Sequence, residues 1–275
     1  MVDRDTGRAE YGVGGGITWS SEAAAEHAEL LAKVAILNRR HQDFELIEIM
    51  RYVPERGLHN RDRHLQRMAD SAEYHGFYFD LSSITSELRA RLAACGPSRV
   101  RLRLHRDGRI VIDVSDLPPT SGPVTLAADD EPVDSSVSWL YHQTTLREPY
   151  EYRHRRHPDV DEVVMINERG ELTETTRANL ALRLDGRWWT PPLSSGCLPG
   201  VERARLLDLG RFSERVLHLS DLHCAERVAV LSSLRGWRSA VVVNSMTARM
   251  GAGTTQVVPA LLGPDENQLQ VSANQ

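Results

Sequence analysis

The stretch Asn167-Glu-Arg-Gly-Glu-Leu-Thr-Glu-Thr-Thr-Arg-Ala-Asn179 lies between two apolar segments of the chain. Residues 160–166 are rich in branched aliphatic side chains and predict a strand, for which the first four residues of the stretch are the turn. Residues 179–184 predict the next strand. The stretch is therefore expected to connect two strands and to carry Glu171 and Glu174 in the connection, after the turn.

On both sides of this stretch, helical and extended patterns alternate. Apolar residues at helical spacing, alternating apolar residues and Asp-Gly turns identify these elements. On the N-terminal side they predict helices at 22–37, around 65–72 and at 82–94, a strand beginning at Phe44, and a hairpin of residues 100–105 and 110–114. On the C-terminal side they predict a turn at Asp185-Gly186, a helix from about Gly200, and strands at 228–231 and 240–244.

A segment rich in proline, residues 118–123, is the best candidate for a domain boundary. Proline removes backbone donors, and the segment has no periodicity. The predicted class is α+β, with two α/β domains that cover residues 42–122 and 123–245. Residues 246–275 are mostly polar and punctuated by glycine and proline, so we expect a disordered tail.

The composition is that of an ordinary soluble protein, with 275 residues of which 41% are hydrophobic and 26% charged. The net charge of −5 gives no pull toward nucleic acid or membrane. A basic cluster at 153–157 is flanked by acidic residues and is expected to be a solvated loop. The chain shows no signal peptide and no apolar run of membrane length, so we expect a cytoplasmic protein. Its three cysteines are widely separated, which argues against a disulfide framework and against a zinc site, and no metal site is expected.

Lysine is almost missing from this chain. Of the 33 basic residues, Lys33 is the single lysine and the other 32 are arginines. Any mechanism that needs a lysine amine therefore has one candidate.

Six motifs occur in order along the chain. They are His64-Leu-Gln-Arg-Met with Ser71-Ala72, His142-Gln-Thr-Thr-Leu-Arg147, the Asn167–Asn179 stretch, Thr190-Pro-Pro-Leu, Leu198-Pro-Gly-Val-Glu-Arg203 and Leu234-Arg-Gly-Trp237. Together they resemble the aminodeoxychorismate lyase branch of the class IV aminotransferases, which are pyridoxal-phosphate (PLP) enzymes of fold type IV. The resemblance spans roughly Phe44 to Val242. It implies a D-amino acid aminotransferase-like architecture, with the active site at the interface of two domains, and a homodimer.

Residues 1–41 resemble a different protein. The sequence GVGGGITWSS, followed by Glu26, Glu29 and Lys33, is similar to the end of the chorismate-binding domain of aminodeoxychorismate synthase. Many bacteria fuse that domain ahead of the lyase. The resemblance implies magnesium binding for the equivalent of Glu29 and a place near the chorismate pocket for the equivalent of Lys33. Because the preceding part of that domain is missing here, we assign neither role and interpret residues 1–41 as a remnant of a fused synthase–lyase.

A PLP enzyme needs an amine for the Schiff base, a carboxylate opposite the pyridinium nitrogen, a phosphate cup and a wall that aligns the reacting bond. The resemblance implies that Glu174 is the pyridinium partner. It implies that Arg67, backbone N–H groups at Gly200 and Val201, and Ser233 form the phosphate cup. A helix N-terminus and an arginine fork both suit a phosphate group.

Glu202 stands in the first helical turn of this cup, where the family usually has an uncharged residue. A carboxylate at that place interacts with the same N–H groups and repels a phosphate dianion. We expect PLP affinity to fall if the side chain points into the cup, and to change little if it points away.

Gln143 occupies the position of the family's catalytic lysine, in a stretch, 141–150, that we expect to form an active-site strand. In the family's His-Lys-Thr-Thr motif, the lysine forms the Schiff base with PLP and then moves the proton. A glutamine amide is neither nucleophilic nor basic, so it performs neither step, although it can hydrogen-bond an aldehyde. PLP is therefore expected to bind non-covalently at best. Lys33 could replace the missing amine only if its helix folded back into the pocket, which nothing in the sequence suggests.

Four neighbouring residues are candidates for the substrate pocket by the same resemblance. His142 and Thr144 flank Gln143, and Arg147 or Arg177 could meet a substrate carboxylate. A packed or solvent-facing role is equally consistent with the sequence for each of them.

Three functions remain open. The first is an aminodeoxychorismate lyase that converts 4-amino-4-deoxychorismate to 4-aminobenzoate and pyruvate for folate biosynthesis, impaired by Gln143. The second is a non-catalytic, degenerate member of the fold, present as a dimer or as a partner of a separately encoded aminodeoxychorismate synthase. The third is another class IV aminotransferase-like reaction, or a PLP-independent reaction such as an elimination on a chorismate-like molecule. The expected partner is a small-molecule substrate of the aminodeoxychorismate type, and neither nucleic acid nor a membrane is expected.

Overall fold

The computed structural model describes residues 43–243 without interruption and, before them, residues 2–3, 8–10, 12–16, 18–19 and 21–38. The chain forms two compact units, Met1–Asp43 and Phe44–Gln275. The predicted tail at 246–275 lies outside the described residues.

The first unit contains a two-stranded antiparallel pair and one helix. The strands are β1 (Val2–Asp3) and β2 (Arg8–Ala9), and the helix is α1 (Ala23–Asn38), which confirms the first predicted helix. Within this unit Lys33 Nζ lies 2.6 Å from a Glu29 carboxylate oxygen and donates to the Gly14 carbonyl at 3.3 Å. The interpretation of this region as a remnant of a synthase stays a prediction.

The second unit begins with a four-stranded antiparallel sheet and two helices. The elements are β3 (Leu46–Val53), β4 (Gly57–Leu58), α2 (Arg61–His75), α3 (Leu81–Leu92), β5 (Ser98–Leu104) and β6 (Ile110–Asp116). The strand order is β4-β3-β5-β6. The predicted hairpin is present, and Gly108 closes it with φ of +90°, a conformation that glycine adopts without strain.

Strand β5 shows how this sheet positions the site. Val100, Leu102 and Leu104 are fully buried against the two helices. Because side chains alternate along a strand, the arginines that alternate with them, Arg99, Arg101 and Arg103, lie on the opposite face of the sheet. That face looks toward the candidate site rather than toward the core.

The rest of the unit is built on an eight-stranded mixed sheet. The elements are β7 (Val124–Ala128), α4 (Glu148–Arg156), β8 (Glu162–Ile166), β9 (Leu172–Thr175), β10 (Asn179–Leu184), β11 (Arg187–Thr190), α5 (Val201–Asp208), β12 (Ser213–Glu214), α6 (Leu219–Cys224), β13 (Arg227–Ser232) and β14 (Gly236–Val242). Short 3₁₀ turns occupy Ser138–Leu140 and Leu193–Ser195. The order is β12-β11-β10-β13-β14-β7-β8-β9, with β7 parallel to both β14 and β8. The sheet curls around a core to which β7 to β10, β13 and β14 contribute.

The opening stretch of the sequence has the predicted position. It runs from the end of β8 through β9 into β10, so it contains one more short strand than we expected. The turn at Asp185-Gly186 is also present, with φ of 51° and 72° at its two residues, as a type I′ hairpin turn requires. The mixed α and β fold class is confirmed. The division into domains at 118–123, between β6 and β7, stays a prediction.

Two local predictions were wrong. The basic cluster at 153–157 is not a solvated loop, because its first four residues form the end of α4 and Arg153 is buried. Pro149 in the first turn, acidic residues at the start and basic residues at the end all favour that helix. Residues 141–150 are not a strand either, since only a single bridge joins Thr144 to Leu46 before α4 begins.

None of the described helices combines the length and the apolarity that a membrane crossing requires.

Candidate active site

A cavity of about 420 Å³ lies between the outer face of the four-stranded sheet and several loops of the larger sheet. The described residues that line it come from β3, β5, the β9–β10 connection, the start of α5 and the β13–β14 turn. The cavity brings together eight of the residues singled out from the sequence: Arg67, Gln143, Arg147, Glu174, Arg177, Gly200, Val201 and Ser233. His142 and Thr144 do not line it.

Glu174 is the buried carboxyl group of the cavity wall, with 4% of its surface exposed. Tyr150 donates its hydroxyl to Glu174 Oε1 at 3.0 Å, and Asn179 Nδ2 donates to Oε2 at 3.3 Å. Burial raises the pKa of Glu174 to about 7, because removal from water penalises the carboxylate more than its donors stabilise it. A cation placed against this carboxyl group would favour its ionised form.

Asn179 also explains the glycine at the start of α5. Its Nδ2 donates to the Leu198 carbonyl at 2.9 Å, and a Cβ at Gly200 would lie 1.7 Å from its Oδ1. A side chain at position 200 would therefore displace Asn179 from Glu174. The Gly200 N–H donates to the Leu198 carbonyl at 2.7 Å, so the open donors of this helix start at Val201.

Arg67 is held by a buried carboxylate that the sequence analysis did not identify. Its Nε and Nη2 donate to the two oxygens of Glu48 at 2.9 and 2.6 Å, and Nη1 donates to the Pro199 carbonyl at 3.1 Å. These three bonds leave two of its five N–H groups for a ligand in the cavity. The guanidinium is thus fixed in orientation at the cavity wall, as a phosphate-binding arginine needs to be.

His64 connects Glu48 to Ser233 through two further short contacts. Glu48 Oε2 lies 2.6 Å from His64 Nδ1, and His64 Nε2 lies 2.6 Å from Ser233 Oγ. Glu48 and His64 are each 1% exposed. Two predicted members of the phosphate cup, Arg67 and Ser233, are therefore held by one buried carboxylate.

Glu202 lines the cavity, but its carboxylate is fully engaged by protein donors. Arg205 donates to both oxygens at 2.7 and 3.0 Å, Asn60 Nδ2 donates at 3.0 Å, and His59 Nε2 lies at 3.3 Å. Burial opposes ionisation, yet the bonds from His59 and Arg205 lower the pKa of Glu202 to about 2. The group is a carboxylate whose charge is largely balanced, which reduces its repulsion of an anion at the helix start.

Gln143 reaches the cavity from a short extended segment. Its carbonyl accepts from Ile47 N at 2.9 Å, and Thr145 N donates to the Glu45 carbonyl at 2.9 Å, so the segment follows the edge of β3. Consecutive side chains of an extended segment point to opposite sides. His142 accordingly turns away, where its Nδ1 lies 2.9 Å from Ser71 Oγ, and Thr144 is buried.

Arginines dominate the cavity charge. Besides Arg67, the lining includes Arg99, Arg101, Arg147, Arg177, Arg235 and Arg238. Arg147 stacks over the Tyr150 ring at 4.0 Å and donates to the Thr176 carbonyl. Within residues 43–243 we find no hydrogen bond or ion pair of the side chains of Arg99, Arg101, Arg177 and Arg235. These guanidinium groups are therefore open to a ligand in the cavity, although Arg177 and Arg235 also interact electrostatically with Glu162.

A second carboxyl group, Glu162, also lines the cavity. It is 4% exposed, and Thr175 Oγ1 donates to it. Burial raises the pKa of Glu162, although Arg177 and other arginines lower it in part. The cavity thus contains two buried carboxyl groups whose pKa values are raised above the ordinary value.

Several of these residues carried a signal in the sequence. Glu48 shares the core-facing positions of β3 with Leu46 and Met50, and a glutamate at such a place requires a buried partner. The arginines of β5 alternate strictly with apolar residues, which predicts that they share one face. Glu162, the first residue of β8, had no comparable signal.

Comparison with known protein families gives a match over most of the chain. The pattern of the family "Amino-transferase class IV" matches residues 45–243. A protein of Schizosaccharomyces pombe, provisionally named an aminodeoxychorismate lyase, is 28% identical over 182 residues, which are 62% of this chain and 79% of that protein.

Solved structures show the same fold. A protein from Mesorhizobium loti, provisionally named an amino-acid aminotransferase, is 37% identical with a TM-score of 0.70 and covers 73% of this chain and 100% of that one. A structure from Legionella pneumophila, provisionally named a 4-amino-4-deoxychorismate lyase, is 19% identical with a TM-score of 0.72 over 84% of this chain and 90% of that one. A hypothetical aminotransferase from Mycobacterium tuberculosis, with α-ketoglutarate and pyridoxamine phosphate (PMP) bound, is 18% identical with a TM-score of 0.70 over 86% of this chain and 90% of that one. At these lower identities the likeness shows the fold alone.

Proposed function

Because the chain belongs to the class IV aminotransferase family, whose members are PLP enzymes, we propose that it binds PLP without a covalent bond and takes a substrate of the 4-amino-4-deoxychorismate type. Its lyase activity is impaired at one position. The observation that carries this proposal is that Arg67, Glu174 and Gln143 line one cavity. Two of the three suit the cofactor, and the third lacks the amine that would hold it.

The residues present fit PLP on two counts. The buried Glu174, with its raised pKa, suits the protonated nitrogen of a pyridine ring, which would supply the missing cation. Arg67, Ser233 and the N–H groups that begin at Val201 suit the phosphate. Bound PLP supplies an electron sink for reaction next to the substrate amine.

Gln143 limits what this site can do. Its amide can donate to and accept from a bound group, but it has no basic nitrogen. The described cavity residues include no lysine. Glu162 is the buried carboxyl group of the lining that is not assigned to the cofactor, and proton transfer to or from a bound molecule would fall to it, because burial raises its pKa.

The arginines support the substrate class. Arg99 and Arg101 of β5 and Arg177 and Arg235 of the larger sheet present guanidinium groups without a hydrogen bond or ion pair in the described region. After one phosphate is bound, the guanidinium groups of the partly buried Arg99, Arg101 and Arg235 and of the exposed Arg177 remain in the cavity lining, where they favour anionic groups of a ligand. A substrate with two carboxylates, as 4-amino-4-deoxychorismate has, suits them better than a simple amino acid with one.

The test adds the missing amine. PLP is mixed with wild type, Gln143→Lys and the size-matched Gln143→Met, reduced with borohydride and analysed by peptide mass spectrometry. We expect a covalent label at position 143 in the lysine variant only. Lys33 is the single natural lysine, so any label elsewhere is easily recognised. The lysine variant should also form 4-aminobenzoate from 4-amino-4-deoxychorismate much faster than the other two.

Two results would contradict the proposal in different ways. A lysine variant that is labelled but forms no 4-aminobenzoate would favour the non-catalytic alternative. If no variant is labelled and none binds PLP, the chain does not use PLP as a cofactor. Light scattering adds a further check, because we propose the homodimer of the family for this chain as well.

A further inference from the structure

A line of hydrogen bonds connects the cavity to a fully buried carboxylate. Ser233 Oγ faces the cavity and lies 2.6 Å from His64 Nε2, and His64 Nδ1 lies 2.6 Å from Glu48 Oε2. Neither His64 nor Glu48 is assigned a role by the function proposed above. The polarity of this line decides what the serine can offer to a ligand.

The direction of hydrogen bonding is fixed at the Glu48 end of this line. Burial alone would raise the pKa of Glu48, but Arg67 and His64 lower it below its ordinary value, so the group is a carboxylate. A carboxylate only accepts hydrogen bonds, and therefore His64 Nδ1 carries a hydrogen. The remaining choice is whether Nε2 also carries one.

The protonation state of His64 decides whether the Ser233 hydroxyl donates its hydrogen to His64 or to a ligand in the cavity. If Nε2 is unprotonated, Ser233 must donate its single hydrogen to it, and only oxygen lone pairs face the cavity. If Nε2 is protonated, it donates to Ser233 Oγ, and the serine O–H is released toward the cavity. A phosphate dianion has no hydrogen to give, so it binds the second state and is repelled by the first.

We propose that binding of a phosphate dianion at Ser233 is coupled to the uptake of one proton from solvent by His64. The proposal rests on the phosphate site proposed above. His64 is a positioning residue, because it does not face the ligand but sets the direction in which Ser233 donates. By linkage, a ligand that prefers the protonated state raises the proton affinity of His64, and protonation raises the affinity for the ligand by the same factor.

The charged groups around His64 form two ion pairs, and Arg235 of the β13–β14 turn lies in the same cavity lining as Ser233. Those on the elements packed against it are Glu48 on β3, Arg67 on α2, Glu202 and Arg205 on α5, and His59 ahead of α2. Glu48 pairs with Arg67, and Glu202 pairs with Arg205. A phosphate dianion beside Ser233 adds net negative charge, which favours the imidazolium.

Calorimetry tests the coupling directly. PMP, which needs no lysine to bind, is titrated into the full chain between pH 7 and 9 in buffers of low and high ionisation enthalpy. The difference in heat gives the protons taken up on binding, and pyridoxamine without phosphate serves as the ligand control. We expect PMP to take up more protons than pyridoxamine does within this range. In a ¹⁵N-histidine spectrum, one Nε2 should change from unprotonated to protonated at the same time.

Two variants separate coupling from a general structural effect. Ser233→Ala should bind PMP roughly tenfold more weakly, since a hydrogen bond to a charged group is lost, and without the extra proton. Ser71 lies on α2, as His64 does, but its hydroxyl contacts a different histidine, His142, outside the cavity, so Ser71→Ala should keep the full uptake.

The possible failures are distinguishable. PMP binding without extra proton uptake at any pH, or equal uptake in Ser233→Ala, overturns the coupling and leaves the proposed function standing. No PMP binding by a folded chain overturns the proposed function itself.

Discussion

Tyr150 donates its hydroxyl hydrogen to Glu174 Oε1 over 3.0 Å, in a wall where the two side chains are 5% and 4% exposed. The bond joins the start of α4 to β9, two elements that are distant in the sequence. Burial raises the pKa of Glu174 to about 7, and it raises the pKa of Tyr150 well above its ordinary value. At neutral pH this pair therefore offers a proton that a bound cation can displace.

The first prediction concerns how the free energy of unfolding depends on pH. Because the folded-state pKa of Glu174 lies above the ordinary value of 4.5, the folded chain binds more protons than the unfolded chain between these values. The contribution of Glu174 to stability therefore falls as pH rises from about 4.5 to about 7, and it stays low above that. In Glu174→Gln this loss is absent. The variant should gain up to about 3 kcal/mol relative to wild type between pH 4.5 and 8.

Urea unfolding at several pH values measures this difference. Glu151→Gln, an exposed carboxyl group on α4, is the matched control and should run parallel to wild type. If Glu174→Gln also runs parallel to wild type, Glu174 does not have a raised pKa in the folded chain.

The second prediction concerns the glycine at the start of α5. In Gly200→Ala the new Cβ would meet Asn179 Oδ1, so Asn179 must move and lose its bonds to Glu174 and Leu198. We expect a loss of about 2 kcal/mol in the free energy of unfolding, the usual cost of overpacking. Thermal unfolding measures it.

Gly96→Ala is its control, since nothing lies within 4 Å of a Cβ there. That variant should change the melting temperature little. Equal melting temperatures for the two variants would show that Asn179 has room to move.

The third prediction concerns the cluster that holds α4 in place. The side chain of Asp129 is fully buried and contacts Arg153 Nε at 3.1 Å, Arg156 Nη1 at 2.7 Å and His157 Nε2 at 3.4 Å. Asp129→Asn leaves two guanidinium groups without their buried counter-charge, which should cost about 3 kcal/mol. Asp130→Asn, an exposed neighbour that also pairs with Arg156, should have little effect. Calorimetric melting of both variants shows whether the loss of stability depends on the burial of the aspartate or only on its charge.

Some features of the site followed from local sequence patterns. The hairpin of β5 and β6 was predictable, because alternation and an Asp-Gly turn are local signals. The same alternation placed Arg99 and Arg101 on one face. The helix α4 was missed because a high density of charge concealed its favourable charge order, acidic first and basic last.

Other features depend on tertiary contacts. His142 and Thr144 flank Gln143 in sequence but do not line the cavity, because neighbouring side chains of an extended segment diverge. The pairing of Glu48 with Arg67 and His64 links β3 to α2, and the contact of His64 with Ser233 spans 169 positions. No local pattern encodes contacts at such separations.

The last prediction is that replacing Glu202 lowers the stability of the chain but raises its affinity for a phosphate ligand. Hydrogen bonds from His59 and Arg205 outweigh the effect of burial and lower the pKa of Glu202 to about 2. A carboxyl group with a lowered pKa contributes stability above its unfolded-state value of 4.5, and this contribution is lost as pH falls toward 2. Glu202→Gln should therefore be less stable than wild type at pH 7, by about 2 kcal/mol, and the difference should shrink as pH falls below 4.5.

The same substitution removes a negative charge from the first turn of α5, next to the N–H groups proposed for the phosphate. A carboxylate there competes with a dianion, so Glu202→Gln should bind PMP about two- to fivefold more tightly. Pyridoxamine, which lacks the phosphate, should show no gain. A tighter variant that is also less stable would identify Glu202 as a residue that stabilises the fold at the expense of the anion site. Equal PMP affinity in both proteins would show that Arg205 already cancels its charge.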